Sequence, residues 1–440
     1  MRIDQIELTN FKNFGSLNVP FKPGINIFVG GNGSGKTSIL EAINVALGGF
    51  FASQEPKMQR PIEYDELKIT NGKREASATI KAKSIYADNY WWRSINRATM
   101  SNDNKHLKPA LEYGHRIYDL FEITDDKTIA PIIVYYSTQR LFKDANSSNK
   151  QKYDPANGRN NGYLLCLKET SINSVLREWL GNAVTKRATL QIKEIENVDL
   201  ILENVEQAIR KTLIMFLDLP DNFSLKIYQD PELNNEVFVN YDAEHDLPLN
   251  YYSDGFRNLL FLIIDLVWRS SQLNPWLTLD EITKSVFGVV TIDEIDLHLH
   301  PKWQAKTTAI IQSFFPKVQF FITTHSPTVI ANFNMRIDEK GDNIDEIYLL
   351  ENNSLKIIEN SFYGKDINSV LTNPMDAYIR APEIKLLIED FYKIAENEQS
   401  TDVDYEKINS IVEKLSQYLD GADKEMIKIY SIAENIKNRT

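Results

Sequence analysis

Apolar residues fall into two rhythms along this chain. Solid runs at Ile25-Asn26-Ile27-Phe28-Val29, Ile132-Ile133-Val134-Tyr135-Tyr136, 286–292 and 318–322 predict strands buried on both faces, as in a parallel sheet. Residues 3–8 predict a first strand, and the alternation at Ala76-Ser77-Ala78-Thr79-Ile80-Lys81-Ala82, within 61–97, predicts antiparallel strands. Helical spacing takes over after Thr37 and runs to Leu47, where Gly48-Gly49 stops it. It returns over 163–219, through Leu176, Trp179, Leu180, Val205, Ile209, Leu213 and Phe216, and again over 259–268. Ile347-Tyr348-Leu349-Leu350, the Asn352-Asn353 turn and Leu355-Lys356-Ile357-Ile358 predict a hairpin. From about Asp376 the chain is charged and amphipathic, with Leu386, Leu387, Phe391, Ile408, Ile411, Leu415, Leu419, Ile427, Ile429 and Ile432 spaced for two or three packed helices. Asp144 to Gly162, rich in Asn, Ser, Lys and Gly, reads as a mobile loop.

The chemistry is concentrated where strands end. Gly30-Gly31-Asn32-Gly33-Ser34-Gly35-Lys36-Thr37 follows one buried run and opens a helix. That context makes G-x-x-x-x-G-K-[ST] a phosphate-binding loop rather than a chance turn. Glycines let N–H groups crowd an anion, and the helix start adds positive potential. Lys36 is expected to reach the β- and γ-phosphates of a nucleoside triphosphate and Thr37 to ligate Mg²⁺, with Asn32, Gly33, Ser34 and Ser38 completing the cradle. Val289-Val290-Thr291-Ile292-Asp293-Glu294 is a strand ending in two carboxylates. Asp293 is expected to hold Mg²⁺ and Glu294 to polarise the attacking water. Gln139, just past another strand, is a candidate for the metal or that water. His325, in Thr323-Thr324-His325-Ser326-Pro327, is a candidate γ-phosphate donor. Ser253 and Gly255 at a helix start offer a second phosphate surface.

Composition narrows the setting. The 440 residues carry a formal charge of −12, which removes any global argument for nucleic-acid binding. The lone Cys166 fits a reducing cytoplasm, the early charges are unlike a signal peptide, and no apolar run reaches membrane-span length.

In this order the motifs resemble the ABC-type ATPases, in the branch that holds SMC-like, RecF-like and OLD-like proteins. Tyr252-Ser253-Asp254-Gly255-Phe256-Arg257 stands where that family has its LSGGQ-like signature, with Tyr252 and Asp254 replacing the usual Leu and Gly. The resemblance implies an α/β fold: a phosphate-loop ATPase head with an antiparallel β subdomain, a helical insertion and a C-terminal helical region. Its expected parts are 1–142, 143–222, 223–350 and 351–440. It implies that two copies sandwich ATP, with Ser253, Asp254 and Gly255 serving the opposite copy and Asp296 crossing between them. It also places adenine near the turn at Asn10–Phe14, on Phe11 or Lys12. His298 and His300 suit metal ligation by spacing, but the family reading of Glu294-Ile295-Asp296-Leu297-His298-Leu299-His300-Pro301 already accounts for them.

Within the branch, the segment 133–140, the signature, the 292–301 segment and the segment 362–371 make the chain similar to stand-alone prokaryotic ATPases linked to virulence, which overlap the ATPase subunits of Septu-type antiphage systems. That resemblance implies slow ATP hydrolysis, a homodimer within a higher homo-oligomer, a separate HNH nuclease, contact with nucleic acid through the complex, and no membrane. No nuclease site is expected in the chain itself: Asp402-Val403-Asp404 follows a polar stretch and reads as a solvated helix cap. The competing readings are a RecF-like DNA-repair ATPase and an ATP-binding scaffold with little turnover. Tyr90-Trp91-Trp92-Arg93 with Arg97 reads as packing within antiparallel strands, with stacking on nucleic acid as the alternative.

Overall fold

A computed structural model describes residues 1–52, 58–84, 90–123, 127–141, 153–168, 173–195, 198–230, 232–233, 236–241, 246–358, 361–372, 380–395, 402–421 and 423–437. In chain order the strands are β1 (Gln5–Phe11), β2 (Phe14–Pro20), β3 (Ile25–Gly30), β4 (Ile69–Thr70), β5 (Lys73–Arg74), β6 (Ser77–Lys83), β7 (Tyr90–Asn96), β8 (Ser101–Asp103), β9 (Ile132–Tyr136), β10 (Lys226–Asp230), β11 (Glu236–Asn240), β12 (Asp246–Pro248), β13 (Gly288–Ile292), β14 (Val318–Thr323), β15 (Glu346–Glu351) and β16 (Ser354–Ile357). The helices are α1 (Lys36–Leu47), α2 (Lys108–Phe121), α3 (Asn173–Ile192), α4 (Leu200–Leu217), α5 (Asp254–Leu273), α6 (Leu279–Ser285), α7 (Pro301–Phe314), α8 (Pro327–Ala331), α9 (Ile367–Thr372), α10 (Pro382–Ala395), α11 (Asp402–Ser416) and α12 (Lys424–Lys437).

The buried runs pair as their composition demands. A six-stranded sheet has the order β16-β15-β3-β14-β13-β9, parallel except for β16. Its parallel ladders align Ile292 with Tyr136 and with Ile322, so the segments carrying Gln139, Asp293 and His325 leave the sheet at one edge. The alternating strands form a separate antiparallel sheet, β2-β1-β6-β7-β8. Helix α1 lies between the two, packing on β3, β13 and β14 and on β6 and β7. Its Ile39, Leu40, Ile43 and Leu47 are fully buried, which explains the apolar helix directly after the glycine loop.

Strand alternation divides the aromatic-basic cluster. Trp91 and Arg93 face inward: the Trp91 indole donates to the Ala46 carbonyl at 3.0 Å, and Arg93 donates to the Arg60 carbonyl at 2.8 Å. Burial lowers the Arg93 pKa to about 10. Tyr90 and Trp92 occupy the other face, Trp92 stacked on His106 at 3.8 Å.

The helical insertion consists of α3 and α4, followed by a small sheet β10-β11-β12; α3 packs on β10 and β11, and α4 on α5. The loop expected over 144–162 differs. Residues 142–152 lie outside the described set, and Pro155–Tyr163 is a run of tight turns fastened to α5. Arg159 makes that attachment, donating to the Leu273 carbonyl at 2.7 Å and stacking over Phe121 and Trp276. Polar composition concealed it because the anchor is a guanidinium on backbone carbonyls, not an aliphatic contact.

The chain divides into two compact units after Val370. The expected hairpin is β15–β16, part of the six-stranded sheet and therefore of the first unit. The second unit is built on α10, α11 and α12, around Phe391, Ile408, Leu415, Met426 and Ile429. Leu386 and Ile427, expected in that core, are instead 59% and 53% exposed. Asp402 opens α11; its side chain lies outside the described set. No described helix is long and apolar enough to cross a membrane.

Candidate functional site

The glycine loop joins β3 to α1 through left-handed backbone that only glycine tolerates well. Gly30, Gly33 and Gly35 have φ of 147°, 76° and 104°. Space adds to the constraint, since a Cβ on Gly30 would lie 2.4 Å from the Leu350 carbonyl oxygen and one on Gly35 2.5 Å from the Phe14 ring. Lys36 opens α1 and folds back, its Nζ donating to the carbonyls of Gly30 and Gly31 at 2.9 Å each. Burial lowers its pKa, against the pull of Asp293, Glu294 and Asp296. The Ser34 hydroxyl is buried in the loop with no hydrogen-bond partner.

The carboxylate pair at the end of β13 meets this loop. The Thr37 hydroxyl donates to Asp293 at 3.0 and 3.3 Å, and the Asp293 N–H donates to the Tyr136 carbonyl at 2.8 Å. Thr323 locks the pair from the neighbouring strand. Its Oγ1 accepts from the Glu294 N–H at 2.7 Å and donates to Asp293. The Glu294 backbone is left-handed, φ 47°, an uncommon state for a residue with a side chain. Sequence reasoning missed Thr323; its position at a strand end, two residues before His325, was the available signal.

Asn32, Gly33, Gly35, Lys36, Thr37, Ser38, Asp293, Glu294 and His325 line one cleft of about 320 Å³. Lys12 and Asn13, from the β1–β2 turn, line it as well. Phe11 does not reach it: the ring is fully buried, facing Phe14 across the β1–β2 turn, which leaves Lys12 as the member of the expected pair at the cleft. Gln139 leaves β9 in a short turn, is exposed, and does not line the cleft. Asp296 is engaged within the chain, accepting from the Thr324 hydroxyl at 2.6 Å and the His325 N–H at 3.4 Å. It thereby fixes the loop that carries His325.

The residues expected to offer a second phosphate surface lie elsewhere. Ser253 caps α5, its hydroxyl accepting from the Phe256 N–H at 3.4 Å, and Ser253 and Asp254 are exposed. Gly255 is pressed on the 298 carbonyl, where a Cβ would sit 2.2 Å from the oxygen. Asn258 donates to the Leu297 carbonyl at 2.9 Å, so the loop after Asp296 clasps the start of α5. None of these residues lines the cleft. His300 accepts from the Lys302 N–H as the cap of α7.

Asp293 and Thr37 set two hard oxygens side by side. No cluster of three His, Cys, Asp or Glu that could hold a metal occurs among the described residues. The donor set fits Mg²⁺, which binds through one or two protein oxygens and fills its shell with phosphate and water.

A family model described as "AAA domain" matches residues 5–232. The Septu protein PtuA of Bacillus mycoides (strain KBAB4) is 25% identical over 94% of this chain, which spans half of that protein's length. The Retron Vc95 probable ATPase of Vibrio cholerae is 26% identical over 75% of this chain and 71% of that protein. Among solved structures, the SMC head bound to the C-terminal winged-helix domain of ScpA aligns with a TM-score of 0.49 at 16% identity, covering 82% of this chain and 98% of that one.

Proposed function

The chain belongs to the AAA domain family, and from that premise we propose that it is the ATPase subunit of an antiphage defence complex, one that holds ATP between two copies and controls a separate HNH nuclease. One observation carries the ATP part. Lys36, Thr37, Asp293 and Glu294 converge on a cleft at the start of α1, while the Ser253 surface stands exposed outside it. A cleft with one phosphate surface, in a chain that displays a second elsewhere, is what a two-copy sandwich requires. The names of the relatives, a Septu protein and a retron ATPase, support the defence part.

In this reading the loop N–H groups and the α1 dipole take the triphosphate. Lys36 exchanges its two carbonyl contacts for the β- and γ-phosphate oxygens. Thr37 and Asp293 hold Mg²⁺, which neutralises phosphate charge when bound. Glu294 takes the proton of the attacking water and His325 donates to the γ-phosphate; Gln139, which stands outside the cleft in this structure, has to move in to serve the water or the metal. Ser253, Asp254 and Gly255, with Asp296, face the γ-phosphate held by the other copy.

Lys36→Ala tests the site itself. Removing a buried cation from a phosphate contact lowers ATP affinity on the order of 100-fold, read by isothermal titration. Unchanged affinity would mean that the cleft is not the ATP site. The assembly is tested by native mass spectrometry of the chain co-expressed with its genomic neighbours, with and without ATP. A multimer that carries a nuclease, with copies paired in ATP, is the expected result. A chain that stays monomeric in ATP and retains no nuclease overturns the defence-complex reading.

A further inference from the structure

Lys12 lines two cavities. One is the phosphate cleft; the other, about 680 Å³, lies beyond the β1–β2 turn and is walled by Glu41, Arg60 and Glu66. Lys12 and Asn13 are the residues the two share. The Lys12 backbone is left-handed, φ 50°, and its N–H donates to the Glu66 carbonyl at 2.7 Å. Its ammonium pairs with Glu41, one turn into α1 from Thr37, and lies 3.4 Å from Glu66. Arg60 closes the square, 2.7 Å from Glu66 and 3.5 Å from Glu41. Glu66 is held further by the Glu63 N–H at 2.9 Å. The Arg60, Glu41 and Glu66 side chains are 15%, 10% and 6% exposed, whereas Lys12 is 28% exposed. A buried square of charges adds little stability over apolar packing. What it does fix is the place of its most accessible member.

We propose that Glu41, Arg60 and Glu66 are positioning residues for nucleotide binding: they hold the Lys12 ammonium at the seam of the two cavities, where it meets the nucleoside end of a nucleotide whose triphosphate lies on the glycine loop. This rests on the reading of the cleft as an ATP site. Lys12 and Asn13 line both the cleft and the larger cavity, so a nucleotide whose phosphates lie on the glycine loop extends past Lys12 into the larger cavity with its nucleoside. Burial raises the Glu41 pKa, against the effect of Lys12, so this carboxylate depends on its cation.

The test compares ATP with inorganic tripolyphosphate, which lacks a nucleoside, by isothermal titration of the full chain. Glu66→Gln and Arg60→Met are expected to weaken ATP about tenfold and to leave tripolyphosphate within about twofold of wild type. Retained tripolyphosphate binding also shows that the glycine loop is folded. The double variant Lys12→Ala with Glu66→Gln is expected to bind ATP no more weakly than Lys12→Ala alone, because Glu66 acts through Lys12. Unchanged ATP affinity in the single variants, equal loss of both ligands by Lys12→Ala, or additive losses in the double variant would each overturn the proposal. A wild type that binds tripolyphosphate and ATP equally well also overturns it. A wild type that binds neither overturns the ATPase reading beneath it.

Discussion

Glu294→Gln is expected to lower the rate of ATP hydrolysis about 100- to 1,000-fold while ATP affinity stays within a few-fold of wild type. The reasons are geometric. Glu294 faces the cleft beside Lys36, and its backbone is clamped in the left-handed region by its N–H on Thr323 Oγ1 at 2.7 Å. Gln has nearly the same shape, so it neither moves the loop nor empties the cleft. It cannot accept a proton from water at neutral pH, so the barrier rises while the ground-state complex persists. ATP-bound pairs of chains should therefore accumulate, visible as ATP-dependent dimers by light scattering alongside turnover measured by phosphate release. A rate within threefold of wild type would remove Glu294 as the base and favour the scaffold reading. Thr323→Val gives a related, smaller effect: it deletes the oxygen that accepts from Glu294 and donates to Asp293, and so loosens both carboxylates without touching either.

Much of this site was legible because strand-end chemistry needs little tertiary information. A solid apolar run fixes a buried strand, and the polar residue after it must emerge at the sheet edge. Asp293, Glu294 and His325 were found in that way, and β13 and β14 lie in register to bring them together. The glycine loop was legible because its glycines answer first to backbone geometry, with φ values of 76° and 104° at Gly33 and Gly35. Phe11 was not legible. In a polar turn it resembles an exposed aromatic, and only the hairpin register, which sets Phe11 opposite Phe14, buries it. Arg60 and Glu66 were invisible for another reason. They lie in coil and in a short turn before β4, where no periodic pattern tells which distant helix a side chain meets. Glu41 lies on α1, and its i, i+4 neighbours say nothing of a guanidinium arriving from another layer.

The same limit hides the interaction expected to matter most for stability. Sequence pattern reads 259–268 as an apolar helix, yet α5 carries Asp265 and Arg269 one turn apart, and both are buried. Arg269 lies 2.9 Å from Asp265 and donates to the carbonyls of Gly162 and Leu164 at 3.0 and 2.9 Å. The Tyr136 hydroxyl also donates to Asp265, at 2.6 Å. Burial, with the Asp265 charge, pushes the Tyr136 pKa well up, so it serves as a neutral donor throughout the physiological range. Arg269→Met keeps most of the volume but strands a buried carboxylate and two carbonyls. It is expected to cost about 3–5 kcal/mol of folding free energy, read as a lower urea midpoint of the full chain. Replacing both partners, Asp265→Leu with Arg269→Met, removes the stranded charge and is expected to recover part of that loss. The remaining deficit is then the cost of the two carbonyls and of the Tyr136 hydroxyl, which loses its acceptor. If the double variant were less stable than Arg269→Met, the stranded carboxylate would not be the source of the penalty, and the Tyr136 hydrogen bond to Asp265 would outweigh it. The distinction bears on function because the network ties the end of β9, just before Gln139, to the helix that begins at Ser253. A loosened network should therefore reduce ATP turnover more than ATP affinity, since binding on the glycine loop uses neither residue.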